Sequence, residues 1–293
     1  MDTQSITLSD GRALGFQALG DPDGSPLFFF HGTPGSRLVF SGTDPIAQIP
    51  GLRLILPERP GYGLSDPQPG RALLDWPNDV SELADYLQLD RFAVAGESGG
   101  GPHVLACAYR LASRVTKALV LSSPAPAGFK GARRGLSLGN RAGLVLGRYA
   151  PWLIRAMMRS YAKALERDPE GFVDAMAKQM APPDRRLLES PSLRQALIRD
   201  FREAYRQGSG GQAVDGALAM TSRTWGFSLR EISVPVFLWH GEDDTLVSMT
   251  MAEHLAREIP RCQARFVTGA GHLLTEAPEV ITEMAEVLSR DTE

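Results

Sequence analysis

Short apolar runs alternate along the chain with longer stretches in which apolar side chains recur every three or four positions. Six runs contain few polar residues and predict strands covered on both faces: residues 27–30, 52–56, 92–95, 117–121, 234–239 and 264–267. Four stretches have helical periodicity: residues 75–88, 100–113, 249–259 and 277–289. This alternation predicts an α/β fold with a mostly parallel central sheet flanked by helices.

Two segments depart from this alternation. Near the N-terminus, residues 4–9 and 12–19 alternate polar and apolar positions around Ser9-Asp10-Gly11, which predicts a β-hairpin. After about residue 124 the strand signals stop, and the periodicity is helical until about residue 225. We therefore expect one core domain interrupted by a helical cap, with these boundaries: core residues 1–124 and 226–293, cap residues 125–225.

Charge divides the chain in the same way. The 293 residues are 43% hydrophobic and carry a formal net charge of −3, which gives no reason to expect nucleic-acid binding. Residues 128–224, however, contain 17 Lys and Arg against 9 Asp and Glu. We interpret this basic cap on an acidic core first as mutual electrostatic attraction, and second as attraction of anionic substrates.

Apolar residues in the expected cap have two interpretations. They either line a pocket for a partly apolar substrate or form the core of the cap itself, and their helical spacing favours the core: Trp152, Met157, Met158, Tyr161, Met176 and Met180. Three further positions, Gly208, Gly210 and Gly211, indicate a flexible connection.

Membrane and disulfide signals are weak in this chain. No apolar run approaches the roughly 20 residues that a membrane span needs, and the first residues lack the basic and apolar regions of a signal peptide. We expect a cytoplasmic protein without a membrane span. Its two cysteines, Cys107 in a predicted helix and Cys262 near a predicted strand, are expected to be reduced and without a catalytic role.

The motif Gly96-Glu97-Ser98-Gly99-Gly100 is the first candidate for catalytic chemistry. A predicted strand ends directly before it, and Gly101-Pro102 opens a predicted helix directly after it. A serine on such a tight strand-to-helix turn exposes its hydroxyl, and the flanking glycines permit the strained backbone and close packing. Ser98 is therefore the candidate nucleophile.

A serine hydroxyl needs a base at neutral pH, so one of the five histidines must supply it. His103 and His254 lie inside predicted helices, whereas His31 and His240 close predicted strands. His272 follows Gly269-Ala270-Gly271 in a loop between the last predicted strand and the last predicted helix. This position makes His272 the candidate base.

The base in turn needs a carboxylate that holds its tautomer and stabilises the imidazolium. In folds that carry a nucleophilic serine on such a strand-to-helix turn, the acid lies between the serine and the histidine in chain order, on a loop at the carboxyl end of a strand. The strand ending at Leu121 has no carboxylate nearby, whereas residues 234–239 lead into His240-Gly241-Glu242-Asp243-Asp244. The acid is expected in this later loop.

Together these motifs resemble the α/β-hydrolase family, and more narrowly its capped, esterase-like members. The resemblance runs from residue 31 to residue 272 and fades across 125–225. It rests on the motif Gly96 to Gly100 extended to Gly101-Pro102, on His240 to Asp244, on Gly269 to His272, and on His31-Gly32-Thr33-Pro34-Gly35 and Glu58-Arg59-Pro60-Gly61-Tyr62-Gly63-Leu64-Ser65. It implies Asp244 as the acid, because Asp-Thr-Leu-Val matches the family's loop ending. It also implies the backbone N–H groups of Thr33 and Gly99 as oxyanion donors.

The resemblance implies a serine hydrolase that cleaves carboxylic esters, or related thioesters and lactones, through an acyl-enzyme without a cofactor or metal. Ser98 argues against the haloalkane dehalogenase and epoxide hydrolase reactions, which use an aspartate at this position. The expected partner is a small, partly apolar substrate, and the oligomeric state is not determined by the sequence.

Three alternatives remain: a carbon–carbon bond hydrolase, an aminopeptidase, and a slow-turnover ligand-binding receptor on the same scaffold. The basic cap weighs against the aminopeptidase, which would be expected to carry acidic cap residues for the substrate amine.

Overall fold

A computed structural model describes residues 2–40, 44–132, 134, 150–221 and 224–290. Its sheet has eight strands: β1 Asp2–Thr7, β2 Ala13–Gly20, β3 Ser25–Phe30, β4 Leu52–Pro57, β5 Phe92–Glu97, β6 Val115–Leu121, β7 Val236–Gly241 and β8 Cys262–Val267. Their spatial order is β1-β2-β4-β3-β5-β6-β7-β8. β2 pairs antiparallel with β1 and β4, and all other neighbours are parallel. The predicted hairpin and mostly parallel sheet are confirmed.

Helices follow most of the strands. The α-helices are α1 Trp76–Tyr86, α2 Gly101–Arg110, α3 Pro151–Arg167, α4 Pro169–Ala177, α5 Pro182–Leu187, α6 Pro191–Ala204, α7 Gly210–Asp215, α8 Met249–Glu258 and α9 Pro278–Ser289. A π-helical turn, Gly216–Thr221, follows α7. Short 3₁₀ turns lie at Pro45–Gln48, Leu73–Asp75, Ser98–Gly100, Leu229–Glu231 and Leu274–Glu276. Within the described ranges, no helix is long and apolar enough to cross a membrane.

Both faces of the sheet carry a hydrophobic core. Side chains alternate along a strand, so in β3 Phe28 and Phe30 belong to one core cluster with residues of α1, α2 and α8, while Leu27 and Phe29 belong to a second cluster with residues of α9. This matches the expectation for covered strands. The exception is β8, where Gln263, Ala264 and Arg265 are exposed. The expectation that residues 264–267 are covered on both faces was wrong, because β8 is the edge strand and has a neighbour on one side only.

Residues 150–221 between β6 and β7 are called the helical segment below. In this described part the regular structure is helical, with α3 to α7 and no strand. Four of the six apolar residues named above pack inside it: Met158, Tyr161, Met176 and Met180. Trp152 and Met157 remain 65% and 42% exposed. These contacts support the interpretation of most of the set as the segment's own core.

Of the three glycines expected to form a flexible connection, Gly211 packs closely instead. Gly210 and Gly211 begin helix α7, and Gly211 is buried. A Cβ atom at position 211 would lie 2.8 Å from the backbone oxygens of Pro60 and Gly61. Gly211 therefore permits a close approach between α7 and the strands, loops and helices that lie outside residues 150–221, which are called the sheet domain below.

Candidate active site

The candidate nucleophile Ser98 lies where β5 ends and directly before α2. Its backbone φ is +48°, a left-handed conformation that is uncommon for a residue with a side chain. This is the strand–turn–helix setting that the sequence motif predicted. The hydroxyl therefore stands at the carboxyl edge of the parallel strands, where loops of several strands meet.

The two expected oxyanion donors lie beside this turn. A Cβ atom built on Gly99 would be 2.3 Å from Thr33 Oγ1 and 3.3 Å from the Thr33 backbone nitrogen. A Cβ atom on Gly32 would be 3.7 Å from the Ser98 Cβ. The structure thus brings Thr33, Gly99 and Ser98 together, and only a residue without a side chain fits at position 99.

The candidate base and acid are joined by a hydrogen bond. His272 Nδ1 lies 2.7 Å from Asp244 Oδ2. The other carboxylate oxygen, Oδ1, accepts hydrogen bonds from the backbone N–H groups of Leu246 (2.8 Å) and Val247 (3.0 Å). The turn after β7 therefore holds Asp244 toward His272, while the neighbouring Asp243 donates its backbone N–H to Ala270.

The electrostatics of this pair favour its charged form. Burial by itself would raise the pKa of Asp244, but attraction to His272 and hydrogen bonds bring that pKa below its usual value. Burial by itself would lower the pKa of His272, but the Asp244 charge and hydrogen bond, with contributions from Glu97 and Asp184, raise it above its usual value. An imidazolium at His272 is therefore stabilised.

Two carboxylates that the sequence analysis did not single out hold the His272 loop. Asp184, on α5 of the helical segment, accepts hydrogen bonds at 3.0 Å from the backbone N–H groups of His272 and Leu273. Glu97, directly before Ser98, accepts a 3.0 Å hydrogen bond from the Thr275 hydroxyl. Burial raises the pKa of Glu97, while attraction to His272 opposes that rise.

Two of the remaining histidines lie in buried contacts near the site. His240 Nε2 lies 3.1 Å from the Val247 carbonyl and 3.8 Å from Asp244 Oδ2. Burial lowers the pKa of His240. Burial and the charge of Arg59 lower the pKa of His103 to about 3. Both imidazoles are therefore uncharged near neutral pH.

At the described contacts with the sheet domain, the helical segment contributes buried carboxylates, whereas the charge count of the sequence predicted that it would contribute cations. The buried carboxylates Asp184, Asp200 and Asp215 all come from the helical segment, which carries 11 Lys and Arg against 9 Asp and Glu. Asp200, for example, accepts hydrogen bonds from the Ser36 N–H (2.8 Å) and hydroxyl (2.6 Å). Many basic side chains of the segment are exposed instead: Arg155, Arg159, Lys163, Arg167, Lys178, Arg185 and Arg186. Attraction of a basic segment to an acidic core therefore does not explain these buried contacts.

The two cysteines, and the residues that could bind a metal ion, are the remaining candidates for parts of a site. Cys107 is buried and Cys262 half-buried, and both are free thiols. Burial raises the pKa of both thiols, to about 11 for Cys262. In the part of the chain that the structure describes, no three or more His, Cys, Asp or Glu side chains cluster in a way that could hold a metal ion.

Comparison with known proteins agrees with this architecture. The family model described as alpha/beta hydrolase fold matches residues 25–276. A non-heme chloroperoxidase of Streptomyces lividans is 27% identical, with 94% of this chain and 96% of the relative covered. A bifunctional esterase/perhydrolase of Acinetobacter calcoaceticus is 26% identical, with 87% of each chain covered. The crystal structure of an esterase from Rhodococcus sp. ECU1013 superposes with a TM-score of 0.71 at 22% identity and covers 99% of both chains.

The family match extends from β3 to the 3₁₀ turn that follows His272, and so includes every residue of the site described above. The sheet order and the strand–turn–helix at Ser98 belong to the same architecture. The chain is a member of the α/β-hydrolase fold family.

Proposed function

We propose that the protein hydrolyses carboxylic esters, with Ser98 as nucleophile, His272 as base and Asp244 as the acid that orients His272. The observation that carries this proposal is the 2.7 Å hydrogen bond between His272 and Asp244, at the sheet edge where Ser98 occupies its strained turn. The esterase names among the relatives support the same reaction class.

The proposed cycle has two acyl-transfer steps. His272 Nε2 takes the proton from Ser98 Oγ as this oxygen attacks the ester carbonyl. The N–H groups of Thr33 and Gly99 stabilise the tetrahedral oxyanion, and His272 then protonates the departing alcohol. Water, deprotonated by His272, attacks the acyl-enzyme in the same way and releases the carboxylic acid. Asp244 keeps the Nδ1 proton in place throughout.

The substrate expected for this site is a small, partly apolar ester. We place its pocket beneath the helical segment, because Asp184 reaches the His272 loop and Asp215 reaches Arg59. Of the cap expected over residues 125–225, residues 133, 135–149, 222 and 223 lie outside the described residues. Thioesters and lactones present the same carbonyl to Ser98 and belong to the same proposal.

The Ser98→Ala variant tests the nucleophile. Turnover of p-nitrophenyl acetate and butyrate is expected to be lost, since no acyl-enzyme can form, while circular dichroism and thermal unfolding match the wild type. Esterase activity that survives in a folded Ser98→Ala protein would contradict the assignment.

Labelling with a fluorophosphonate separates an enzyme from a binding protein that has kept the fold. We expect the wild-type protein to be labelled at Ser98, as read from the modified peptide by mass spectrometry, and Ser98→Ala to be unlabelled. A wild-type protein that binds small ligands but takes no label at Ser98 would support the receptor alternative.

A second candidate activity is transfer of the acyl group to hydrogen peroxide. The names of two relatives favour it: the non-heme chloroperoxidase and the bifunctional esterase/perhydrolase. Peroxide in place of water would attack the acyl-enzyme and release a percarboxylic acid. Formation of peracid from an ester and peroxide, lost together with hydrolysis in Ser98→Ala, is the expected result.

A further inference from the structure

A buried arginine lies between the helical segment and the loop that carries Thr33. The three guanidinium nitrogens of Arg59 each have an acceptor. Nε donates to Asp215 Oδ2 at 2.5 Å, and Nη1 donates to the His31 carbonyl at 2.5 Å. Nη2 donates to the Gly32 carbonyl at 2.9 Å and to Thr33 Oγ1 at 3.1 Å. Arg59 therefore holds three consecutive residues of the 31–35 loop.

Asp215 is the anion that orients this arginine. It is fully buried, as is Arg59. Its Oδ2 atom also accepts a 2.8 Å hydrogen bond from the Tyr62 hydroxyl, and its Oδ1 atom lies 2.5 Å from Arg71 Nη2. A buried carboxylate with these partners stays ionised, because the two guanidinium charges compensate its desolvation.

The imidazoles beside this group carry no charge. Burial, followed by the charge of Arg59, lowers the pKa of both His31 and His103. The cations that face Asp215 are therefore the two arginines, Arg59 and Arg71, and not the histidines. Its removal would leave two buried cations without their common anion, one of them in contact with the Thr33 hydroxyl.

Asp215 reaches Arg59 because helix α7 of the helical segment packs closely against the residues that follow Arg59. Asp215 ends α7, one turn after Gly211, which lies against the backbone of Pro60 and Gly61. Residues 60 and 61 directly follow Arg59. The missing side chain at Gly211 thus sets the distance at which Asp215 meets Arg59.

From this geometry we infer that Asp215 is a positioning residue for the oxyanion hole, acting through Arg59 on the 31–35 loop. Arg59 fixes the carbonyls of His31 and Gly32, and the next residue, Thr33, has its backbone nitrogen 3.3 Å from a Cβ atom built on Gly99. The inference rests on the proposed function. It assigns to the helical segment a part in transition-state stabilisation, in addition to covering the site.

Two variants and a matched control test the inference. Asp215→Asn removes the charge that orients Arg59, and Arg59→Lys keeps the charge but cannot reach all three residues of the loop. Gln207→Ala is the control, because Gln207 also joins the helical segment to the sheet domain, through the carbonyls of Gly63 and Ser65, without a contact to the 31–35 loop. If Asp215→Asn fails to fold, Arg59→Lys carries the test.

Each protein is titrated with a fluorophosphonate so that kcat is expressed per labelled Ser98. Affinity for phenylboronic acid is measured beside it, because its tetrahedral anionic adduct places an oxygen in the oxyanion hole. We expect kcat to fall on the order of 10²-fold in the two variants, with a similar loss of boronate affinity and a KM within about threefold of the wild type.

A purely structural role for the ion pair predicts a different pattern. The labelled fraction would fall, while kcat per labelled site and boronate affinity would stay unchanged. That result in Arg59→Lys, or an equal loss of kcat and boronate affinity in Gln207→Ala, would overturn the inference. A wild-type protein without esterase activity would instead contradict the proposed function, so the two failures are distinguishable.

Discussion

The proposed base has an environment that sets its working pH. His272 is buried, and burial opposes its protonation, yet the Asp244 carboxylate at 2.7 Å outweighs this effect. Glu97 and Asp184 act in the same direction. Three carboxylates around one imidazole thus stabilise the imidazolium that the acyl-transfer steps form. Because they raise the pKa of His272, a higher pH is needed before this residue is neutral and can act as a base.

The pH dependence of kcat/KM follows from the sign of this shift. Neutral His272 is the reactive form, and its pKa lies above the usual value of about 6.5, so kcat/KM should rise with pH to a plateau through a midpoint above about 6.5. In Glu97→Gln the midpoint should move to lower pH, because one of the carboxylates that raise the pKa of His272 is lost. A midpoint at or below 6.5 in the wild type would contradict this assignment.

The two neighbouring aspartates after β7 provide a matched pair. Asp244→Asn should lower kcat on the order of 10³- to 10⁴-fold, because an amide can donate to Nδ1 and select the wrong tautomer of His272. Asp243→Asn should stay within a few-fold of the wild type, since the 2.7 Å hydrogen bond to His272 comes from Asp244. Steady-state hydrolysis of p-nitrophenyl esters compares kcat of the two variants. A larger loss of kcat in Asp243→Asn than in Asp244→Asn would identify Asp243 as the acid instead.

At the scale of elements, loops that follow parallel strands converge on one edge and are then tied down by the helical segment. The loop after β8 is held by Asp184 of α5, and the loop after β3 by Asp200 of α6 and, through Arg59, by Asp215 of α7. Each of these three helices is thus linked by one buried carboxylate to a loop of the proposed site.

The contact from α5 predicts a combined loss of stability and activity. In Asp184→Asn the backbone N–H groups of His272 and Leu273 can no longer both find an acceptor, since an amide offers one oxygen. An unpaired buried donor costs about 1–3 kcal/mol, so the free energy of unfolding should fall by about that amount.

The same variant should also lower kcat, because the His272 loop loses an anchor. Glu166→Gln is the control, since Glu166 is an exposed carboxylate of α3 in the same helical segment. Urea unfolding and ester hydrolysis, measured on both variants, check the prediction. Equal stability of Asp184→Asn and Glu166→Gln would count against it.

Over the whole molecule, charge is arranged by depth as well as by segment. The helical segment turns buried carboxylates toward the sheet domain and many exposed basic side chains toward solvent. Among the exposed side chains of this segment, Lys and Arg outnumber Asp and Glu by ten to five, so its outer surface is positive on balance although the net charge of the chain is −3. Exposed charges act mainly over a Debye length, about 10 Å at 0.1 M salt.

This arrangement predicts a salt effect that depends on the substrate. For a p-nitrophenyl ester with a carboxylate on its acyl chain, kcat/KM should decrease as sodium chloride rises from about 0.01 to 0.5 M, because screening weakens attraction to the basic surface. The neutral ester of the same chain length serves as control and should change little. Parallel behaviour of both esters would exclude attraction of anionic substrates by this surface.

Much of the fold follows from local patterns. The buried runs gave strands within a few residues of β3 to β7, because a strand covered on both faces needs several consecutive apolar side chains. The strand β8 was predicted, but the expectation that both its faces are covered was wrong, since its short pattern does not reveal that it lies at an edge of the sheet. Gly211 was also misjudged, because close packing and flexibility call for the same residue.

By itself the sequence determined the strand–turn–helix around Ser98, the loop position of His272 and the choice of the loop after β7 for the proposed acid, because each signal lies within about ten residues of the position that it identifies. Only the tertiary structure decided which side chains support them. Asp184 meets the His272 loop across 88 positions, and Asp215 meets Arg59 across 156. No local periodicity records such pairs, because the packing of the helical segment on the sheet domain alone brings their atoms together.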